Sequence, residues 1–282
     1  MKMDDWFFGF KEWNFSLLLG IGCVLITLSS CNREGCTDPT ALNFELKADK
    51  ACNSCCEYEL VDSVANVHFQ FTHLIGSDDF VFLRQFFAPD GRLFNIDYLK
   101  YYISNIQFEN SVGTKIGIEG KVLLVTPDSL LIKVGTLPIG NYSAMEFCIG
   151  LDSITNETMP DDYPEFHPLG TDNADLYWPS GLGYQFFRFE GRVDTSLVAD
   201  SIMDHNYLVQ IGTNTFKRKI RIELDFDASL GSNLHFNLEC DYQNLLDSLD
   251  LQSEHTTQSV THTAVAQKIA DNIPMVFSLQ EF

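Results

Sequence analysis

Positive charge is scarce in this chain. Its 282 residues carry 18 Lys and Arg against 39 Asp and Glu, giving a formal net charge of −21 and a pI near 4.5. Nucleic acid and anionic membrane surfaces would repel such a chain, so neither is expected as an electrostatic partner, whereas cations are favoured. Catalytic signatures are missing too: there is no Gly-rich phosphate loop, no Gly-x-Ser-x-Gly elbow, no His-Glu-x-x-His and no dinucleotide fingerprint. With 39 acidic residues some carboxylates always lie close together, but no specific pair stands out for acid–base work. The expectation is a protein that is not an enzyme. Tryptophan is rare, with Trp6, Trp13 and Trp178 as the three in the chain, and helical periodicity is almost absent before the C-terminal end.

What is present begins with a sorting signal. Lys2 and Lys11 lead into the apolar run Phe15 to Thr27, which is too short to span a bilayer and is followed at once by small residues. Leu28-Ser29-Ser30-Cys31 comes next, and its spacing resembles the bacterial lipobox, in which the signal is removed and the new N-terminal Cys31 is lipidated. An ordinary cleaved signal with an incidental cysteine is the alternative. On either reading the mature chain leaves the cytoplasm, and Trp178 becomes its sole tryptophan. Residues 1–30 are thus read as a lipoprotein signal peptide, 31–63 as a Cys-rich segment with a linker, and 64–282 as the main domain.

Export governs how the cysteines are read. Cys36, Cys52, Cys55 and Cys56 cluster near the N-terminus, with Cys148 and Cys240 far downstream, and an even set in an oxidising compartment suggests disulfides. The opening Gly35-Cys36-Thr37-Asp38-Pro39 resembles a short Cys-rich repeat of secreted bacterial surface proteins. Zinc is the sharper alternative for Cys52, Cys55 and Cys56, but adjacent cysteines rarely both ligate one ion. Cys148 and Cys240 are open between a cross-sandwich pair and free buried thiols.

From Val64 onward the pattern is strands and turns. In Val67–His73 the odd positions are apolar, so His73 shares a face with Val67, Phe69 and Phe71, and His68 points the other way. Tyr98–Phe108, Val122–Val125, Ser143–Ile149 and Tyr207–Gly212 read as further strands. Ile220, Ile222, Leu224 and Phe226 alternate with Lys219, Arg221, Glu223 and Asp225. In the same way Leu234, Phe236, Leu238, Cys240 and Tyr242 alternate with His235, Asn237, Glu239 and Asp241. Such half-buried strands predict an all-β fold, an antiparallel β-sandwich. His262, Ala266 and Ile269 mark one face of a short C-terminal helix, with Ser259 or Thr261 as N-cap and Asn272 then Pro274 as stop, before a last strand in Met275–Leu279.

The most particular stretch is Met159–Gly191, which joins His167-Pro168-Leu169, Tyr177-Trp178 and Gly183-Tyr184 to an aromatic strand. Taken in order with Tyr101-Tyr102-Ile103-Ser104-Asn105-Ile106, with Phe147-Cys148-Ile149-Gly150-Leu151-Asp152-Ser153 and Asn156, and with Ile269-Ala270-Asp271-Asn272 and Phe277, these landmarks resemble the MbnP-like copper-binding family of methanobactin systems. The resemblance covers the chain from about Val64. It implies a secreted β-sandwich that binds copper in acquisition or homeostasis, lipid-anchored in the periplasm or at the outer-membrane surface of a Gram-negative bacterium. It also implies a Trp178 that a partner di-haem enzyme resembling MauG (MbnH-like) oxidises to kynurenine. An intact indole N–H only donates, whereas ring opening yields an aryl amine and carbonyls that can contact an ion.

The resemblance nominates His73, His167 and His262 as copper ligands, and against each stands a plainer role: a buried imidazole bonded to backbone for His73, an exposed loop for His167, a helix terminus for His262. Many relatives carry a His where this chain has Gln210, and a carboxamide is a poor copper ligand, so His205 from the preceding turn is the fourth candidate. His68, His235 and His255 are read as solvated. The alternative function is a protein- or glycan-binding surface module without metal, with Trp178, Tyr177 and Tyr184 as its contact platform. A third reading makes Trp178 a core aromatic.

Overall fold

The computed structural model describes residues 33–39, 41–52, 54–57, 63–178, 181–198, 200 and 202–280. The signal segment 1–30 and the lipidation candidate Cys31 lie outside the described residues. The chain divides into two compact units, Met1–Asp62 and Ser63–Phe282. In the first, Glu34–Gly35 pairs in parallel with Lys50–Ala51, and Cys36 is disulfide-bonded to Cys56. Asn43 closes the loop between them, donating to Cys55 O at 2.7 Å and accepting from Glu57 N at 2.9 Å. Cys52 and Cys55 are free thiols.

The second unit stacks two sheets on one apolar interior. Its main elements are β1 (Val64–Ile75), β2 (Leu93–Asn110), β3 (Leu131–Pro138), β4 (Gly140–Ile149), β5 (Tyr177–Trp178), β6 (Gly183–Val193), β7 (His205–Gly212), β8 (Arg218–Ala228), β9 (Asn233–Asp241), β10 (Thr256–Gln258), helix α1 (Thr263–Val276) and β11 (Phe277–Leu279). Among the described residues one sheet has ten strands, with the order β8-β4-β2-β6-β7-β10 and β5 paired to β6. The other has five, with the order β11-β9-β1 and β3 on the opposite side of β1. The expected all-β sandwich with a short C-terminal helix is what the chain forms.

Strand pairing departs from a wholly antiparallel plan in two places. β1 and β9 run parallel from Asn66↔Asn233 to Leu74↔Asp241, and β7 runs parallel to β10. No hairpin joins either pair, so nothing in the connection forces the chain to reverse. β3, with Gly135 inside it and Pro138 at its end, has a composition that hides a strand among turn residues.

β2 is the longest strand and carries a bulge. Glu146 and Cys148 on β4 face Gln107 and Ser104, so β2 spends one extra residue there, and Asn105 sits in the left-handed region at φ 51°. Asn tolerates that conformation better than most residues. The extra residue reverses the side-chain phase. Leu99, Tyr101 and Ile103 are buried before it, Ile106 and Phe108 after it.

Aromatic rings dominate the interior. Phe69 meets Phe147 at 6.1 Å and Phe236 at 6.4 Å, Phe108 meets Phe236 at 5.4 Å, and Tyr101 stacks on Phe187 at 5.1 Å. Cys240 is enclosed in this core, while Cys148 faces the other side of its sheet; both are free, so the cross-sandwich disulfide does not form.

Helix α1 corrects the expected boundaries. Its cap position is His262, without a side-chain capping bond, and the helix runs through Pro274 to Val276. Pro274 lacks an N–H, but it falls in the last turn, and the buried face of Ala266, Ile269, Ala270, Ile273 and Val276 carries the helix past it. Asn272 is a bolt rather than a stop: its amide donates to Leu245 O at 3.1 Å and Asp247 O at 2.8 Å.

One buried carboxylate on the outer face of β4 makes stability pH-dependent. Burial alone would raise the Glu146 pKa, but Lys115 at 2.7 Å, Arg221 at 2.9 Å and Lys219 at 3.3 Å hold it down at about 2. A carboxyl depressed in the folded state stabilises above its unfolded pKa, about 4.3, and loses that contribution as pH falls toward the folded value. Denaturant titrations of the wild type should therefore lose stability from about pH 4.3 downward. Glu146→Gln should be less stable at pH 7 and show a shallower acid slope; equal slopes would refute this role.

Candidate metal-binding rim

Residues Ser153–Trp178 fold as an annex on the outer face of the ten-stranded sheet, and Gly183–Gly191 belongs to β6 within that sheet. A one-turn helix, Ser153–Asn156, starts it, and Asp152 caps that helix by accepting from Thr155 N at 3.0 Å and Thr155 Oγ1 at 2.7 Å. Asn156 then accepts from Tyr184 N at 2.8 Å, fastening the annex to the start of β6. Tyr102, Leu151, Leu169, Leu176, Tyr184 and Phe186 form a second small core beneath it. The Tyr184 hydroxyl donates to Leu169 O at 3.0 Å and that of Tyr102 to Pro168 O at 3.2 Å. Tyr184 is fully buried, so it is no part of an exposed aromatic platform.

Trp178 lies at the edge of this annex. β5 pairs with the first residues of β6, Tyr177 with Tyr184 and Trp178 with Gly183, and this lays the half-buried indole over Gly212 at the end of β7. A methyl group at Gly212 would overlap the indole ring and approach Tyr184 O to 2.7 Å. The glycine is needed for close approach. Beside it, Gly212 N donates to Ser259 Oγ at 3.1 Å, and Ser259 follows directly on β10. His262 stands three residues further on. Its backbone N–H donates to Gln258 O at 2.9 Å, and its exposed imidazole meets Thr261 Oγ1 at 2.8 Å through Nδ1. Trp178 and His262 thus reach one corner of the sheet, around the ends of β7 and β10.

Gln210 is fixed at both ends of its carboxamide. Its Nε2 donates to Glu190 Oε1 at 2.6 Å, and its Oε1 accepts from Gln258 Nε2 at 3.0 Å. Glu190 also takes Arg188 in a two-pronged contact at 2.8 and 2.9 Å, and Arg188 lies over the Tyr98 ring at 4.1 Å while donating to Asp175 O. Tyr98 completes the ladder through the Asp175 carboxylate. Gln210 is thus part of a polar lattice across β2, β6, β7 and β10.

The other nominated histidines go elsewhere. His73 is on the inner side of β1, stacked between Phe71 and Tyr242. Its Nε2 faces Ser129 O at 3.4 Å, and since a carbonyl only accepts, Nε2 carries the proton and Nδ1 accepts from the Tyr242 hydroxyl at 2.6 Å. Neither nitrogen has a lone pair to spare, and burial pushes the pKa down. His167 stacks on Tyr163 at 4.4 Å, its Nδ1 accepts from Leu169 N at 3.2 Å, and burial with Lys121 nearby lowers its pKa. It opens onto a cavity of about 450 Å³ lined with Asn105, Lys121, Asp152 and Tyr163. His205 begins β7 whereas Gly212 ends it, which at about 3.3 Å per residue separates them by roughly 23 Å. His205 therefore does not substitute for the missing imidazole at Gln210. No three or more His, Cys, Asp or Glu side chains among the described residues are grouped so as to hold a metal ion.

Comparison with known proteins bears on this domain. The MbnP family profile matches residues 64–263, which takes in both sheets apart from β11 and ends at the first residue of α1. Among solved structures, MbnP from Methylosinus trichosporium is similar at 15% identity and a TM-score of 0.47, covering 67% of this chain and 80% of that one. No curated protein matches the chain.

Two outcomes follow for single residues. A His whose folded pKa is lowered by burial gives stability that is intact above its unfolded value, about 6.5, and declines as pH falls below it. His73→Gln should flatten that limb in denaturation below about pH 6.5, leaving the acid limb of Glu146 in place; an unchanged profile would exclude His73 as its source. Gly212→Ala should shift the emission of Trp178 in the mature chain, and an unaltered spectrum would mean that the indole does not rest there.

Proposed function

Since this chain belongs to the MbnP family, we propose that it is an exported, lipid-anchored copper-binding protein serving copper acquisition or homeostasis, with no enzymatic activity of its own. The observation that carries the reading is the corner where the Trp178 indole lies over Gly212 and His262 follows from β10. Anchoring would be through Cys31 at the mature N-terminus, in the periplasm or on the outer-membrane surface. The acidic chain repels nucleic acid and favours cations.

The residues at the corner fit copper only in part. His262 supplies an imidazole, and with Nδ1 engaged by Thr261, Nε2 is the nitrogen left for an ion. Trp178 in its intact form supplies no lone pair. His73 uses both nitrogens and His167 its Nδ1 lone pair within the fold, and Gln210 is occupied by Glu190 and Gln258. With Trp178 unmodified the corner therefore lacks a ligand set. Oxidative opening of the Trp178 ring by a di-haem partner enzyme would turn a donor-only side chain into one with an aryl amine and carbonyls. On this reading, copper capture depends on that modification, and half-burial against Gly212 holds the product at the end of β7.

Chain purified from its native host should have a mass above that of the unmodified polypeptide and quenched tryptophan emission, and it should take up copper near stoichiometrically. Trp178→Phe and His262→Ala should each take up one equivalent of copper fewer than the native chain while leaving the thermal transition in place. Copper uptake by Trp178→Phe equal to that of the native chain would reject the proposal.

A further inference from the structure

His205 and His255 are two imidazoles that the fold brings side by side. His205 heads β7; His255 immediately precedes β10, and its carbonyl accepts from Leu208 N at 2.9 Å. Their ring centroids stand 5.4 Å apart with the planes inclined at 53°. Planes that cross allow one point to lie in both, where an in-plane lone pair from each ring can meet. His68 and His235, the other close pair, stack at 12°, so their lone pairs lie in nearly parallel planes and cannot converge on one ion without ring rotation.

The protonation of His205 is set by its neighbours. Its Nδ1 lies 2.6 Å from Thr195 Oγ1 and 3.1 Å from Asp204 Oδ2. Thr195 Oγ1 is itself 3.1 Å from Asp204 Oδ1, and a carboxylate only accepts, so the hydroxyl proton goes to Asp204 and the hydroxyl oxygen accepts from His205. Nδ1 of His205 therefore bears the hydrogen, and Nε2 presents a lone pair. A carboxylate behind a ligating imidazole is the arrangement that fixes tautomer and ring orientation at metal centres. His255 adds an independent sign: its Nδ1 is enclosed, with no hydrogen-bond partner among the described residues. A buried, unpartnered ring nitrogen is costly, and an ion would satisfy the imidazole.

The spacing suits a tetrahedral cation. With Zn–N bonds of about 2.0–2.1 Å, and an imidazole nitrogen about 1.1 Å from its ring centre, each centroid would stand about 3.2 Å from the ion. Centroids 5.4 Å apart then subtend about 115° at it, against about 109° for a tetrahedron. Two imidazoles leave the remaining positions to water. We propose that His205 and His255, with Asp204 as the orienting carboxylate, form a binding site for a borderline divalent cation such as Zn²⁺, Ni²⁺ or Cu²⁺, roughly 23 Å along β7 from the Trp178 corner. An ion here would pin the short parallel strand β10 to β7 at the edge of the sheet.

The test is calorimetric titration of Zn²⁺ into the chelator-stripped exported chain, with thermal unfolding in the same buffers. The wild type should bind one equivalent at this site and unfold at a higher temperature with Zn²⁺ than without. His205→Ala and His255→Ala should each remove that equivalent and the thermal shift. Asp204→Asn should bind about 10–100-fold more weakly, as expected when an outer-shell carboxylate is lost. The Trp178→Phe, His262→Ala double variant should bind Zn²⁺ as the wild type does, which keeps this site separate from the proposed copper corner. No Zn²⁺ uptake by the wild type, undiminished uptake by the His205→Ala, His255→Ala double variant, or loss of uptake in the Trp178→Phe, His262→Ala variant would each overturn the assignment.

Discussion

The hydroxyl of Tyr242 joins the two sheets at their most enclosed point. It donates to His73 Nδ1 on β1 and meets the Tyr101 hydroxyl of β2 at 3.2 Å, and Tyr101 in turn approaches Cys240 Sγ at 3.7 Å. A buried polar atom without a partner costs more than a typical bond contributes, so this chain of contacts constrains how the sheets face one another as firmly as the apolar rings do. Phe80, Phe187 and Phe189 surround the Tyr242 ring, and α1 closes over the interior with its apolar face. The role of His73 follows from the same constraint. It is the proton acceptor that lets a tyrosine be buried, and it has no nitrogen left for an ion.

Outside the sandwich, the annex of Ser153–Trp178 repeats the logic on a smaller scale. Tyrosines bury their rings and send their hydroxyls to the carbonyls of Leu169 and Pro168, so the irregular loop is held by a few directional bonds over a small apolar floor. This annex brings Trp178 to Gly212 and keeps His167 away from it. Polar side chains on the exposed faces of β2, β6, β7 and β10 are equally committed, from Tyr98 through Arg188 and Glu190 to Gln210 and Gln258. Two local centres emerge from a chain in which seven histidines are spread along the sequence. One is the rim of Trp178 and His262; the other is the pair His205 and His255 at the far end of the same strand.

Period-two alternation made most of the sandwich legible without coordinates. The inward sets of β1, β8 and β9 are those expected from alternating apolar residues, with Ile220, Phe236, Leu238, Cys240 and Tyr242 enclosed. The C-terminal helix was equally legible from its apolar face, although its end was not, because burial of Ile273 and Val276 outweighs the missing N–H of Pro274. Asn105 could have signalled the bulge, since Asn is among the few residues at ease at positive φ, but alternation alone cannot locate an inserted residue.

By itself, then, the sequence determined the class of the fold, the faces of its long strands and the family to which the landmarks point, because side-chain direction along a strand is a local property of the backbone. Only the tertiary structure decided which histidines have free nitrogens and which meet. Strand order, the parallel pairing of β7 with β10 and the hydrogen-bond partners of each imidazole are long-range outcomes. His255, which reads as solvated in the sequence, gained its neighbour His205 because β10 aligns beside β7. Trp178 and Gly212 met because β5 folds back on β6, a contact that no spacing along the chain encodes.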